Sequence, residues 1–188
     1  MKRTHIFIDG SNLYHNLKKI GLQNISFREL IKLLNNDSST KIFYYNASLD
    51  ISFNQEKYWN QQKFFDSLKK IPNFNLVLCK LRKHKRKNGF IFDIKGDDVN
   101  LAIDLVSEAY EDNYDTATIV SGDEDFVPAI KKVQKLGKTV INAYFKSSSS
   151  ASLKKICDNS IYLNKELEKI ITARHCHKDH TGENIINL

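Results

Sequence analysis

The stretch Thr118-Ile119-Val120-Ser121-Gly122-Asp123-Glu124-Asp125-Phe126 constrains the fold more than any other. An apolar run breaks at Ser-Gly and two acids, Asp123 and Asp125, follow. Phe126, Ile130, Val133 and Leu136 then recur at helical spacing, so a strand enters a helix through an acidic turn. In open α/β sheets ligands bind just beyond the carboxyl ends of strands, which is where such a turn sits. The chain begins the same way, with Phe7-Ile8 running into Asp9-Gly10-Ser11-Asn12. A third acidic turn, Lys95-Gly96-Asp97-Asp98, introduces the strongest helical pattern in the sequence. Three carboxylate-bearing turns can therefore meet at one edge of one sheet.

The rest of the chain supplies the other layers. Thr4 to Asp9 reads as a buried strand, followed by a helix with Leu13, Leu17 and Ile20 on one side and Gly21 as its stop. Ser26-Phe27-Arg28-Glu29 has the form of a capping box and starts a short helix through Leu34. Lys41 to Ala47 is a strand, and Asn54 to Ile71 a long helix ended by Pro72-Asn73. Phe74 to Leu81 is strand-like. A Lys/Arg run then meets Asn88-Gly89 and Phe90 to Ile94, which is a hairpin signal.

Val99, Ala102, Ile103, Val106, Ala109 and Tyr110 trace one helical face, and Leu101 and Leu105 a second. That pattern fits a helix wedged deep in the fold. Gly137 stops the next helix, Lys138 to Phe145 is strand-like, and Ser147 to Ser150 is a linker or helix start. A short helix with Leu153 and Ile156 inward, a strand at 161–163 and a last helix from Asn164 to about Arg174 follow. Alternating strands and helices with short connections predict an α/β fold, a Rossmann-like α/β/α sandwich with a mainly parallel central sheet plus a β-hairpin. Residues 1–174 form its single domain, and 175–188 read as a poorly ordered tail.

Composition bounds the function classes. No apolar run approaches the ~20 residues that span a bilayer, and no leader pattern follows Met1, so a cytoplasmic location is expected. Cys79, Cys157 and Cys176 are odd in number and far apart, and read as two core thiols and one tail thiol rather than disulfide partners. Neither a Gly-x-Gly-x-x-Gly nor a Walker lysine motif occurs, so dinucleotide and nucleoside-triphosphatase chemistry lose their usual support. The net charge of +7 suits a polyanionic partner, and Lys80, Arg82, Lys83, Lys85, Arg86 and Lys87 crowd one short stretch.

Each acid has a plain structural use. Asp98 and Asp123 precede helices, where an Asp cap contributes about 1 kcal/mol, and Asp9 closes a turn. Together, however, Asp9, Asp98, Asp123 and Asp125 would repel one another in a single cleft. A hard cation removes that cost, and an all-oxygen ligand set suits Mg²⁺ or Mn²⁺, the usual ions of in-line phosphoryl chemistry.

Phe7-Ile8-Asp9-Gly10-Ser11-Asn12-Leu13, Lys95-Gly96-Asp97-Asp98-Val99 and Ser121 through Pro128 resemble, in order, the three signatures of NYN domains. These are a branch of the PIN-like ribonuclease superfamily, and the likeness is to its bacterial LabA-like members. It spans about residues 4 to 165. The resemblance implies metal-dependent RNA cleavage, with Asp9, Asp98 and Asp123 binding metal or polarising water and Asp125 a fourth acid. It also implies that Asn12 holds a carboxylate or a substrate phosphate, and that Ser121 shapes the acidic turn. Asp97 departs from the apolar residue those relatives usually carry, which leaves open whether Asp97 or Asp98 faces the ion. Asp104 lies about 120° from Asp98 around its helix and is a candidate for supporting the site from behind.

The basic hairpin has two readings, a solvated face or a cradle for an RNA backbone through Arg82, Lys83, Lys85, Arg86 and Lys87. His84, Phe90 and Tyr44 or Tyr45 are candidates for stacking on bases, although aromatics in strands more often build core. His175, Cys176, His177 and His180 fall short of a zinc motif. The expected function is a divalent-metal-dependent endoribonuclease acting on single-stranded or loop RNA. A non-catalytic RNA-binding module on the same fold and a DNA-directed nuclease are the alternatives, and a homodimer is left open.

Overall fold

The computed structural model describes residues 2–176, apart from 23, 24, 36, 38, 53, 87 and 88. The tail from 177 onward, with His177 and His180, lies outside the described residues. Seven strands form one sheet: β1 (Thr4–Asp9), β2 (Lys41–Ala47), β3 (Phe74–Arg86), β4 (Gly89–Lys95), β5 (Thr116–Val120), β6 (Thr139–Tyr144) and β7 (Asn159–Tyr162). Their spatial order is β4-β3-β2-β1-β5-β6-β7. All neighbours are parallel except β3 and β4, which pair antiparallel from Lys80↔Lys95 to Arg86↔Gly89. The expected hairpin is thus the outer end of the sheet's own edge.

Alternation along the strands sorts the core into two layers. Ile6, Ile8, Ile42 and Tyr44 face the helices α1 (Gly10–Lys19), α2 (Phe27–Leu34), α3 (Gln55–Leu68) and α7 (Leu163–Cys176). Phe7, Phe43, Tyr45, Ala117 and Ile119 face α4 (Asp97–Tyr110), α5 (Val127–Lys135) and α6 (Ala151–Ile156). β1 is buried between them from His5 to Asp9 because its run of apolar residues faces both ways. The strand order reverses at β1: from it the chain builds outward to β2 and β3, and later to β5 and β6 on the other side. That reversal opens a crevice beyond the ends of β1 and β5.

Helix ends follow their sequence signals. Leu22 N–H donates to Leu17 O and Gly21 N–H to Lys18 O. Lys138 and Gly137 repeat the pattern on Val133 and Gln134, which stops α1 and α5 where expected. The capping box at Ser26 forms only in part: its carbonyl starts the helix, but its side chain makes no cap bond. α3 begins after Asn54, whose side chain caps Lys57 N–H, and ends at Leu68 rather than Ile71.

Two expectations are corrected. α4 buries Leu101, Leu105 and Ala109, while Val99, Ile103 and Tyr110 lie exposed at 60%, 55% and 58%. The helix lies on the sheet by one apolar face and is not wedged. Cys79 and Cys157 are half-buried rather than core thiols, with burial pushing Cys157 up to about 11. No helix among the described residues is long and apolar enough to cross a membrane.

Candidate active site

Asp9 ends β1 and caps α1, so one residue serves the fold and the crevice at once. Its Oδ1 accepts from Asn12 N–H at 2.9 Å and its Oδ2 from Ser121 Oγ at 3.0 Å. Ser121, buried at the end of β5, also accepts from Asp123 N–H at 3.2 Å. A single hydroxyl therefore couples the first acidic turn to the third. Asp123 continues the chain by accepting from Asp125 N–H at 2.9 Å.

Gly10 and Gly122 make this close approach possible. A Cβ on Gly10 would stand 2.6 Å from the Tyr44 ring and from the Tyr45 carbonyl. A Cβ on Gly122 would stand 1.6 Å from the Ser148 carbonyl, so the serine turn after β6 packs directly on the acidic turn.

Asp9, Asp97, Asp98 and Asp123 line one cleft of about 870 Å³. None of the four forms an ion pair with a described residue. Burial pushes the Asp9 carboxyl up, against the two hydrogen bonds that hold it down, and the charges of Asp97 and Asp123 add to the rise. Asp98 is pushed up to about 6, first by burial and then by Asp97, Asp9, Asp123 and Asp125. These are the marks of carboxylates that repel one another across a shared space.

The remaining predicted residues divide. Asp98 is not a cap, since Gly96 occupies that position and Asp97 and Asp98 both fall in the first turn of α4. Both line the cleft. Asp125 is exposed and does not line it, although its charge reaches Asp98. Asp104 is also outside the cleft, and its Oδ2 accepts from the Tyr45 hydroxyl at 2.8 Å. Asn12 holds Asp9 through its backbone N–H, while its side-chain oxygen accepts from Asn16 Nδ2 at 2.9 Å and from Ser148 Oγ at 3.4 Å. The Asn12 amide nitrogen is thereby turned away from that pair. Tyr44 and Tyr45 are buried core, as aromatics in central strands usually are. On the hairpin Lys80, Arg82 and His84 are exposed, the backbone of Lys83, Lys85 and Arg86 completes β3, and Lys87 lies outside the described residues.

Sequence reasoning missed the braces behind the acids. Asn16 is buried at 2% and bonds the Asn12 carbonyl at 2.7 Å as well as its side chain, and it accepts from Ser147 Oγ. Asn142, equally buried, donates to the Ser121 carbonyl at 2.8 Å and fixes the end of β5. Their signal was present: each is an amide set inside an apolar stripe, between Leu13 and Leu17 or between Ile141 and Ala143.

The donor chemistry fits a hard divalent cation, because carboxylate oxygens without paired cations surround one space. Among the described residues no three His, Cys, Asp or Glu side chains form a closed ligand group. Mg²⁺ keeps several waters and needs only one or two carboxylates, so this open arrangement still suits it.

Comparison with known proteins agrees with the fold. The family model for the NYN domain matches residues 3–164. An uncharacterized protein of Methanocaldococcus jannaschii, MJ0482, is 35% identical over 71 residues, which is 38% of this chain and 30% of that protein. The crystal structure of VPA0982, a protein of unknown function from Vibrio parahaemolyticus, superposes with a TM-score of 0.67 at 21% identity. That match covers 88% of this chain and 94% of the other, and it speaks for the fold alone.

Proposed function

The chain belongs to the NYN domain family, a PIN-like nuclease family, and from that premise we propose that it is a divalent-metal-dependent endoribonuclease acting on single-stranded or loop RNA. One observation carries the proposal: Asp9, Asp97, Asp98 and Asp123 line a single cleft at the switch point, unpaired with any described cation. A protein that merely bound RNA would have no use for carboxylates that repel each other and the phosphate backbone.

Asp9, Asp98 and Asp123 would hold Mg²⁺ or Mn²⁺, one or two of them directly and the rest through its waters, with Asp97 beside Asp98 in the same turn. When bound, such an ion offsets charge on the phosphodiester and eases deprotonation of an attacking water. The chain's own residues do the positioning. Asn12 N–H and the Ser121 hydroxyl fix both oxygens of Asp9, so its orientation is set before substrate arrives. The Asn12 amide nitrogen is free to donate to a phosphate oxygen, because Asn16 and Ser148 engage its oxygen. The basic outer part of β3, from Lys80 to Arg86, would track the RNA backbone, an interaction that holds a strand without reading its bases.

The test is cleavage of end-labelled single-stranded RNA by the purified protein, with Mn²⁺ or with chelator, beside Asp9→Asn. Asn keeps one oxygen for the helix cap but gives up the bond accepted from Ser121, so a thermal melt of the variant accompanies the assay to show that the fold survives. Metal-dependent cleavage by the wild type and none by the variant is expected. RNA binding without cleavage in either metal would move the protein to the non-catalytic alternative.

A further inference from the structure

The acidic cleft does not end at the acids. Its lining takes in an arm formed by α1, with Tyr14 and Lys19, and by α3, with Lys57, Asn60 and Phe64. Lys57, Asn60, Gln61 and Phe64 are spaced i, i+3, i+4 and i+7, so α3 presents one continuous face to this arm. Acids and lysines line the same cavity.

The polar groups of the arm are in two different states. Gln61 is committed: its Nε2 donates to Ala47 O at 3.1 Å and its Oε1 accepts from Leu49 N–H at 2.7 Å. Asn46 is committed as well, to the Tyr44 hydroxyl and to Ala47 N–H. These bonds pin the chain after β2 and make the wall rigid. The Asn60 side chain, by contrast, has no hydrogen-bond partner among the described residues, and Lys19 and Lys57 have no ion pair there. Tyr14 is half-buried, and its ring touches that of His15 edge-on at 5.5 Å between centroids. An aromatic face, an uncommitted amide and two uncommitted ammonium groups thus border one arm that opens onto the carboxylates.

We propose that this arm binds the nucleotide flanking the scissile phosphate, with the Tyr14 ring stacked on its base, Asn60 bonded to the base edge, and Lys19 and Lys57 on its phosphates. The assignment rests on the ribonuclease reading of the acidic end. It adds that the enzyme engages one unpaired base beside the cut, which excludes a continuous duplex there. A stacking face tolerates every base, whereas an amide with a donor and an acceptor discriminates among edges. Base preference, where the enzyme has one, therefore lies with Asn60.

The experiment uses the full chain and a fluorescein-labelled single-stranded RNA of about a dozen nucleotides, near the footprint of single-strand binders. Binding is read by anisotropy in EDTA and cleavage in Mn²⁺, for the wild type, Tyr14→Ala, Tyr14→Phe, Asn60→Ala and Lys19→Ala/Lys57→Ala. Tyr14→Ala should weaken binding roughly tenfold, and Tyr14→Phe should restore it, which a general packing defect would not allow. The double lysine variant should flatten the salt dependence by about 0.7 for each phosphate it no longer neutralises. Asn60→Ala should narrow the spread of Kd among homopolymer RNAs by weakening the tightest-bound one most. If the wild type cleaves and all variants match it in KM and salt slope, the arm is solvated surface and the inference fails alone. If the wild type binds without cleaving and Tyr14→Ala still weakens binding, the arm stands and the nuclease reading falls. A wild type that neither binds nor cleaves overturns both.

Discussion

The two ends of the same parallel sheet treat charge in opposite ways. At the amino end, Arg3 pairs with Asp115 at 3.0 Å and Asp112 at 3.2 Å, and Lys138 closes on Asp112 from the other side. The Arg3 guanidinium holds Asp115 down to about 2. At the carboxyl end, four carboxylates share a cleft with no described cation paired to any of them, and Asp98 rises to about 6. A chain with 29 Lys and Arg against 22 Asp and Glu had ample means to neutralise both ends. The caps made by Asp9 and Asp123 return some stability, but they do not require four carboxylates to share a cleft without a paired cation, which is what the proposed chemistry would use.

The largest expected effect tests that contrast directly. Asp98→Asn should lower metal-dependent cleavage by about 10²–10³, the scale on which one preorganised charge interaction matters in catalysis. In chelator the same variant should melt at or above the wild-type temperature, because it removes a repelling charge. A melting point well below wild type would mean that Asp98 is structural, and the comparison of ends would collapse.

Next in size is Gly122→Ala. Its Cβ would lie 1.6 Å from the Ser148 carbonyl, a backbone atom that cannot swing aside like a side chain. Overpacking of this kind costs about 1–3 kcal/mol. Because the turn it displaces also carries Ser121 and Asp123, cleavage should fall along with thermal stability. A variant with wild-type melting and activity would show that the serine turn is not pressed onto the acidic turn.

The carboxyl end was the more legible of the two in the sequence, for a physical reason. Acids at strand ends interrupt apolar runs, and Gly10 and Gly122 mark places where only hydrogen fits, so the site announced itself as breaks in periodicity. β1 and β2 have the expected bounds because both combine apolar runs with clear polar limits. The inward face of α4 was not legible, since Val99, Ile103 and Tyr110 are as apolar as Leu101 and Leu105, and only the sheet beneath decides between them. That Asp104 and Asp125 lie outside the cleft was not legible for the same reason. A side chain's partner, Tyr45 for Asp104, is set by tertiary packing that spacing along a helix does not contain. Asn16 and Asn142 were overlooked because a lone amide in an apolar stripe reads as noise until its buried bond is seen.

A pH scan sharpens the contrast with a smaller effect. The folded pKa of Asp98 is raised, so in metal-free protein folding takes up a proton between about 4 and 6, and stability falls as pH rises through that window. Asp9 shifts the same way. His5, buried near the amino end, has the opposite sign. Burial, with Lys41 and Arg3 nearby, lowers it to about 4, although its Nδ1 lies 3.2 Å from Glu108 Oε2. That short approach lacks the alignment of a hydrogen bond, and Glu108 Oε2 also faces Lys41 Nζ at 3.7 Å, so desolvation outweighs it. His5 therefore adds stability above its ordinary value of 6.5, and this is lost as pH falls toward 4. The two slopes oppose each other between pH 4 and 6. Asp98→Asn should leave a melting temperature that climbs more steeply with pH, while His5→Gln should leave one that falls. Identical profiles for all three proteins would remove the electrostatic difference between the two ends.

The smallest effect belongs to the amino end itself. Arg3→Ala removes an exposed guanidinium whose ion pairs are screened by solvent, so each contributes little however short it is. The backbone bonds between Arg3 and Asp115 survive the change, because the N–H of residue 3 still donates to the Asp115 carboxylate and Asp115 N–H to the carbonyl of residue 3. What the variant forfeits is mainly the long-range attraction, which a Debye length of about 10 Å at 0.1 M salt already damps. The melting point should therefore drop slightly at low ionic strength and converge on wild type as salt is added. Cleavage should not change at any salt concentration at which the wild type is active, since Arg3, Asp112, Asp115 and Lys138 do not line the cleft. That outcome is what distinguishes the ends: charge at one is nearly interchangeable with solvent, and at the other the proposed chemistry depends on it. A loss of cleavage in Arg3→Ala comparable to that in Asp98→Asn would show the two ends to be coupled through β1, and the division between them would not hold.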